Sequence, residues 1–207
     1  MTHETLLAFM LFALATSITP GPNNIMLMTS GVNFGFRASL PHMLGVSFGF
    51  ALLLMSTGFG LSELFTRYPE IYVVMKSLGV LYFVYYAWKL ANAPINPMLA
   101  SGSAVTDPAT HRAWRFRDAV SFQWINPKGW IMAVGAFSSY VPAMSKAGVI
   151  VGAVFIFSLI AVPCFILWVS FGAHLRHYLE QGQRRRYFNI GMAVLLLASL
   201  MSLFVVN

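Results

Sequence analysis

Two short polar segments interrupt the apolar sequence and carry groups that can bind a small charged solute. The first, residues 19–24, is Thr-Pro-Gly-Pro-Asn-Asn, and the second, residues 126–128, is Asn-Pro-Lys. A proline removes a backbone donor and its ring clashes with the carbonyl four residues earlier, so neither segment continues a helix. Freed backbone groups need partners within hydrocarbon, so we expect both breaks to face protein or a water-filled cavity.

The start of each resumed helix is a candidate anion site. Pro22 suits the first turn of a new helix. The amides of residues 23–25 then lack intrahelical partners and carry the positive end of the helix dipole. The amides of Lys128 and Gly129 offer the same arrangement at the second break. Helix N-termini of this kind bind small anions such as a carboxylate.

The end of each interrupted helix is a candidate cation site. The prolines free the backbone carbonyls of Thr16, Ile18 and Gln123. In each case the residue four positions later is a proline, which has no N–H to donate. Such carbonyls can accept hydrogen bonds from an ammonium group. A site with donors for a carboxylate and acceptors for an ammonium fits a free amino acid.

Lys128 carries a charge where a membrane protein rarely tolerates one. It lies about 14 Å into the fourth predicted helix at 1.5 Å per residue, close to the middle of a hydrocarbon core about 30 Å thick. A lysine at that depth costs about 3 kcal/mol and usually marks a transport pathway; a buried structural lysine is the alternative. Lys76 lies nearer the end of its helix, where its side chain can reach the interface.

Amide side chains accompany both breaks. Asn23, Asn24 and Asn126 can each donate and accept hydrogen bonds, so they either bind the solute or tie the broken helices together. Gln123 lies one turn before the second break and is expected to line the same cavity. The predicted substrate-binding residues are Thr19, Pro20, Gly21, Pro22, Asn23, Asn24, Gln123, Asn126, Pro127 and Lys128.

Two side chains are candidates for proton coupling. Asp118, at the start of the fourth helix, is a proton carrier or an acid that complements the helix dipole. His42, near one end of the second helix, is a proton relay or an interfacial histidine. No aspartate or glutamate falls inside a predicted helix core, which favours neutral or acidic solutes over lysine-like ones.

The composition indicates an integral membrane protein. Of 207 residues, 58% are hydrophobic and 9% are charged, against about 25% charged in soluble domains. The net charge of +7 gathers at the ends of apolar runs, so no nucleic-acid-binding surface is expected. The single cysteine, Cys164, excludes an internal disulfide, and no His-, Cys- or acid-rich cluster predicts a metal or other cofactor.

Six membrane-spanning helices are expected in an all-α fold. The first apolar run is expected to be a retained helix, since the first residues lack the lysine or arginine of a signal peptide. A polar, proline-containing segment separates three helices from three, and a basic loop is expected at 174–186. The predicted helices are 5–31, 38–62, 71–90, 119–140, 147–172 and 187–207.

The halves are predicted to be inverted repeats: residues 1–90, a cytoplasmic linker 91–118, and residues 119–207. An odd number of helices in each half places the halves in opposite directions. The first helix of each half is broken at proline. The second carries glycines four residues apart, which allow close helix packing within a subunit or in a homo-oligomer; they are Gly45, Gly49, Gly148 and Gly152.

Positive charge sets the expected orientation. The loops after helices one, three and five carry nine of the 13 lysines and arginines, and the opposite loops carry two. Because cytoplasmic loops are enriched in these residues, both termini are expected on the outside, with membrane lipid around the bundle.

The two polar segments resemble those of the LysE/RhtB superfamily of amino-acid exporters. The resemblance lies in residues 19–23 and in Phe-Gln-Trp-Ile-Asn-Pro-Lys at 122–128, and extends to length, helix number and the central polar segment. It implies a bacterial inner-membrane protein that exports amino acids or derivatives with energy from the proton gradient.

The function expected from this sequence is secondary efflux of small amino acids or derivatives, such as homoserine, threonine or cysteine. Inverted repeats with broken helices place such a site where the two breaks meet. The alternatives are a passive channel or an exporter of a different small solute. An intramembrane enzyme is not expected, because the histidines lie at or outside the helix ends and no paired aspartates occur at membrane depth.

Overall fold

The structure, a computed structural model, describes residues 2–61, 63, 67–93, 113–142, 145–179 and 183–205. Every regular element in these ranges is helical. They contain, in chain order, α1 (His3–Ile18), α2 (Pro22–Phe34), α3 (Phe36–Ser56), a π-helical turn (Thr57–Leu61), α4 (Pro69–Ala91), α5 (Phe116–Gln123), α6 (Pro127–Tyr140), α7 (Ala147–Leu179) and α8 (Arg184–Val205).

Both helix breaks predicted at the prolines are present. α1 ends at Ile18 and α2 begins at Pro22, and the two helices are bent by 49° relative to each other. α5 ends at Gln123 and α6 begins at Pro127. Each proline occupies the first turn of its new helix, where its missing N–H removes no intrahelical hydrogen bond. Proline chemistry therefore sets where each helix restarts.

Three of the described helices are long and apolar enough to cross a membrane: Phe36–Leu61, Pro69–Ala91 and Ala147–Leu179. The bent pair of α1 and α2 adds a fourth if it counts as one span. Leu81 and Phe155, each 67% exposed, are two of many large apolar side chains on the surface, which a soluble monomer rarely presents. The chain is a multi-pass helical membrane protein. Six spans and outward termini stay predictions.

α7 packs against α1, α2 and α3, while α3 also packs against α5, and α4 packs against α8. Phe157 of α7 is fully buried and makes edge-on contacts with Phe9 of α1 and Phe50 of α3, at ring-centroid distances of 5.8 Å and 5.4 Å. Each broken segment thus lies against the middle helix of the other predicted half. This packing places the two breaks next to each other, with the second break mostly buried and Ile18, Thr19 and Pro20 of the first exposed.

The glycines of α3 allow the close helix contact that their spacing predicts. A Cβ added to Gly45 would overlap the backbone of Phe116 at the start of α5. A Cβ added to Gly49 would lie 2.8 Å from Cα of Val120. A larger residue at either position would push α3 and α5 apart.

The glycines of α7 make no such contact within the described chain, and a contact between subunits, the other use expected of them, stays a prediction. A Cβ added to Gly148 or Gly152 would meet no heavy atom of a neighbouring element within 4 Å. The tight contact of α7 is near its other end, where added Cβ atoms on Gly172 and on Gly31 of α2 would overlap the facing backbone. Small-residue spacing gives a neighbour room to approach, but it does not place that neighbour.

α7 is longer than predicted and continues to Leu179. The first part of the basic loop expected at 174–186 is therefore helical. Gly172 does not end the helix because it is packed against α2, and residues 173–179 contain no proline or glycine. Most of the predicted linker, residues 94–112, lies outside the described residues. The three-part division of the chain stays a prediction.

Candidate functional site

A small cavity lies between the two helix breaks. Its volume is about 20 Å³, room for about one water molecule. Both breaks contribute side chains, and α3 and α7 close it with aromatic rings. The residues that line it are Thr16, Ser17, Gly21, Asn23, Asn24, Phe50, Asn126, Lys128, Gly129, Met132 and Phe165.

Lys128 connects the second break to the first. Its Nζ donates to the carbonyl of Thr19 at 2.9 Å, to Oγ1 of Thr19 at 3.0 Å and to the carbonyl of Pro20 at 3.3 Å. The side chain lies directly on Gly21, where an added Cβ would be 2.5 Å from Lys128 Cδ. All three donors of the ammonium group are therefore used by the opposite helix break.

An amide pair also joins the breaks. Gln123 Nε2 donates to the carbonyl of Ala119 at 3.1 Å, and a carbonyl only accepts, so this bond fixes the orientation of the Gln123 amide. Gln123 Oε1 then accepts from Asn23 Nδ2 at 2.8 Å, and Gln123 Nε2 donates to Asn23 Oδ1 at 3.1 Å. Gln123 Oε1 also accepts from Asn126 Nδ2 at 3.4 Å.

The side chain of Asn24 donates hydrogen bonds to backbone carbonyls at the C-terminal end of α1. Its Nδ2 donates to the carbonyl of Ser17 at 2.7 Å and to the carbonyl of Thr19 at 2.8 Å. The side chain is buried. One amide group thus satisfies the Ser17 carbonyl and adds a second donor to the Thr19 carbonyl, which also accepts from Lys128.

Three buried side-chain oxygens at the cavity have no hydrogen-bond partner among the described residues: Ser17 Oγ, Asn24 Oδ1 and Asn126 Oδ1. A buried polar atom without a partner costs about 1–3 kcal/mol. Such atoms are rare in native structures and call for a functional or structural explanation.

Three of the backbone groups expected to be free at the breaks have hydrogen-bond partners. The carbonyl of Thr16 accepts from Thr19 Oγ1 at 3.0 Å, and that of Gln123 accepts from the amide of Asn126 at 3.2 Å. The amide of Ile25 donates to the carbonyl of Gly21 at 2.9 Å. A side-chain hydroxyl, the turn before Pro127 and the first turn of α2 make these three bonds. The unpartnered acceptors at the cavity are therefore side-chain oxygens.

The two proton-coupling candidates lie away from the cavity lining. Asp118 is on the exposed first turn of α5, where its Oδ1 is 3.5 Å from Nε of Arg117. His42 is buried in α3 and stacks on Trp114 with ring centroids 5.3 Å apart. Neither nitrogen of His42 has a hydrogen-bond partner among the described residues. The proton-coupling roles of Asp118 and His42 stay predictions.

Lys76 lies beside the second break. It lines a separate cavity of about 10 Å³ with Trp124, Pro127 and Trp130. Its position in the sequence favoured a side chain that reaches the interface, with a functional role as the alternative. Its approach to this break is a finding of the structure.

Four of the cavity residues are absent from the sequence predictions: Ser17, Phe50, Met132 and Phe165. Ser17 was recognisable as a serine three positions before Pro20 in a run without charges. Phe50, Met132 and Phe165 carry no such signal, because apolar residues are frequent on every face of these helices.

Among the described residues, no group of three or more His, Cys, Asp or Glu side chains could hold a metal ion.

Comparison with known proteins identifies relatives over most of the chain. The chain is 31% identical over 198 residues to the cysteine/O-acetylserine efflux protein of Escherichia coli (strain K12), covering 95% of each chain. It is 30% identical over 203 residues to the protein of the same name from Salmonella typhimurium (strain LT2), again covering 95% of each. No solved structure matches the chain. Residues 14–206 match the model of the LysE type translocators, and the chain belongs to this family.

Proposed function

We propose that the protein exports small amino acids or their derivatives across the bacterial inner membrane, using the proton gradient. The relatives named above are cysteine/O-acetylserine efflux proteins, and both compounds are candidate substrates of this chain. The observation that carries the proposal is the position of Lys128, whose ammonium group contacts the opposite helix break beside the cavity.

The substrate carboxylate is proposed to bind to Lys128 and to the helix N-termini at the breaks. The hydrogen bonds of Lys128 to Thr19 and Pro20 offset part of the cost of partly burying its charge. A cavity of about 20 Å³ is far too small for an amino acid. The bound state therefore requires Lys128 to leave Thr19 and the walls of the cavity to separate.

A transport assay tests this function. Inside-out membrane vesicles from cells that express the protein are expected to accumulate O-acetyl-L-serine or L-cysteine above the external concentration when a pH gradient is imposed. An uncoupler is expected to abolish the accumulation, and vesicles without the protein provide the control. Equilibration to equal concentrations, unaffected by the uncoupler, would indicate a passive channel instead.

The transport cycle is proposed to move one inverted half against the other. Tight glycine contacts join α3 to α5 and α2 to α7, whereas Gly148 and Gly152 have open space beside them. In an inverted repeat these two glycines correspond to Gly45 and Gly49. We propose that the α7 glycines make the equivalent close contact in the alternate conformation of the cycle.

Leucine at Gly152 is expected to slow export at least about tenfold, equivalent to about 1.4 kcal/mol against the alternate conformation. The open space beside Gly152 allows the variant to insert and fold. Gly191→Leu in α8 is the matched control, since Gly191 also has no neighbour within 4 Å. Equal export rates, measured in the vesicle assay at equal protein levels, would argue against the proposed motion.

A further inference from the structure

The hydrogen bonds of the Asn24 side chain show which of its two amide atoms has no partner. Asn24 Nδ2 donates to two backbone carbonyls, those of Ser17 and Thr19, at 2.7 Å and 2.8 Å. Carbonyls only accept, so the amide cannot be turned the other way without losing both bonds. The buried unpartnered atom at the cavity is therefore the oxygen of Asn24 and not its nitrogen.

The oxygen of Asn126 is identified by a longer chain of bonds. The carbonyl of Ala119 fixes Nε2 of Gln123 as a donor, which leaves Oε1 of Gln123 as an acceptor. That acceptor is 3.4 Å from Asn126 Nδ2. Oδ1 of Asn126 therefore faces away from Gln123 and has no partner among the described residues.

Ser17 supplies the third oxygen. Its side chain is 1% exposed, and its Oγ has no partner in the described part of the chain. The two asparagines are each at most 3% exposed. Ser17 and Asn24 lie on either side of the first break and Asn126 lies at the second, and all three line the cavity that Lys128 also lines.

We propose that Ser17 Oγ, Asn24 Oδ1 and Asn126 Oδ1 bind the α-ammonium group of the substrate, while Lys128 binds its α-carboxylate. An ammonium group has three N–H donors and no acceptor, and it finds three unused oxygens here. Lys128 is the one charged residue among the described residues that line the cavity, so it balances the carboxylate. The proposal rests on the proposed function and restricts the substrates to compounds that keep both groups free.

Two isomers test the ammonium subsite directly. O-acetyl-L-serine has a free ammonium group, whereas N-acetyl-L-serine has the same atoms and the same carboxylate but carries an amide in place of the ammonium. Binding to the purified full-length protein in lipid nanodiscs is measured by calorimetry. The wild-type protein is expected to bind the O-acetyl isomer at least about tenfold more tightly, the effect of one charge-assisted hydrogen bond or more.

Ser17→Ala removes one of the three oxygens with little risk to the fold, because Ser17 Oγ makes no hydrogen bond in the described structure. The variant is expected to weaken binding of O-acetyl-L-serine and L-cysteine about tenfold and to leave binding of N-acetyl-L-serine unchanged. Ser158→Ala is the matched control: Ser158 Oγ is also buried without a partner, but Ser158 does not line the cavity.

The outcomes distinguish the ammonium subsite from a metal-ion site and from failure of the proposed function itself. Equal binding of the two acetylserine isomers, or equal affinities of the Ser17→Ala and Ser158→Ala variants for O-acetyl-L-serine, would overturn the subsite while leaving the exporter function intact. A titration with Na⁺ that depends on Ser17, combined with unchanged amino-acid binding, would assign the oxygens to a metal ion and also overturn it. If wild-type protein binds no amino acid, the proposed function and the subsite both fail.

Discussion

Lys128→Met is expected to reduce export at least about a hundredfold, because removal of one charge of a buried pair costs about 3 kcal/mol or more. Methionine keeps an unbranched side chain that is one atom shorter, with sulfur in place of one methylene, and it removes the ammonium group. In the proposed site, the substrate carboxylate then enters the cavity without its partner charge. The carbonyl of Pro20 also loses the hydrogen bond from Lys128, while that of Thr19 keeps the one from Asn24.

The export rate of this variant is measured in inside-out vesicles at equal protein levels. Lys146→Ala provides the control, since Lys146 is exposed just before α7 and does not line the cavity. Wild-type export by Lys128→Met would remove Lys128 from the substrate site. Loss of export by both variants would point to a general effect of positive charge.

Gly21→Ala is expected to reduce export about tenfold by displacing the side chain of Lys128, a loss of about 1.4 kcal/mol of interaction. The new methyl group would lie 2.5 Å from Lys128 Cδ and 2.8 Å from Lys128 Nζ. Gly21 has extended backbone geometry, with φ of −173°, so alanine fits there without backbone strain. The lysine, which is the flexible partner, must move.

A double-mutant cycle tests this explanation. If Gly21→Ala acts through Lys128, it adds no further loss of export to Lys128→Met, because residues in contact show non-additive effects. The thermal stability of Gly21→Ala is expected to stay close to that of the wild type. Additive losses of export would show that the methyl group disturbs transport by another route.

The positions of the helix breaks could be predicted because proline acts locally. Pro20, Pro22 and Pro127 each remove a backbone donor and disfavour helix continuation, and α2 and α6 begin at the two positions expected. A single proline is not sufficient, because α7 continues through Pro163. Lys128 was recognisable for a similar reason, since a charge in an apolar run is costly wherever the run packs.

The partners of the site side chains could not be predicted, because they depend on how distant helices pack. Asn23 and Gln123 are 100 residues apart in the chain and form a reciprocal amide pair. The pattern predicted that buried amides would be present, but not which atoms would remain unused. Only the bonds of Asn24 to the end of α1 show which of its atoms faces the cavity.

Glycine spacing predicted close packing but not the neighbouring element. It predicted close packing at Gly45 and Gly49, which α5 provides. Gly148 and Gly152 have no neighbour within 4 Å in the described chain, so a contact between subunits stays a prediction for them. The predicted helix ends at Gly172, whereas the helix in the structure continues to Leu179. The missing side chain of Gly172 instead allows the contact with α2. The same residue type serves turns and close packing, so spacing alone does not distinguish them.

A crystal structure with O-acetyl-L-serine bound tests the central claim most directly. We expect the ligand between residues 19–24 and 126–128, with Lys128 Nζ moved from the Thr19 carbonyl to the ligand carboxylate. The ammonium group is expected within hydrogen-bonding distance of Asn24 Oδ1 and Asn126 Oδ1. A ligand bound elsewhere, with Lys128 still on Thr19 and Pro20, would contradict the account.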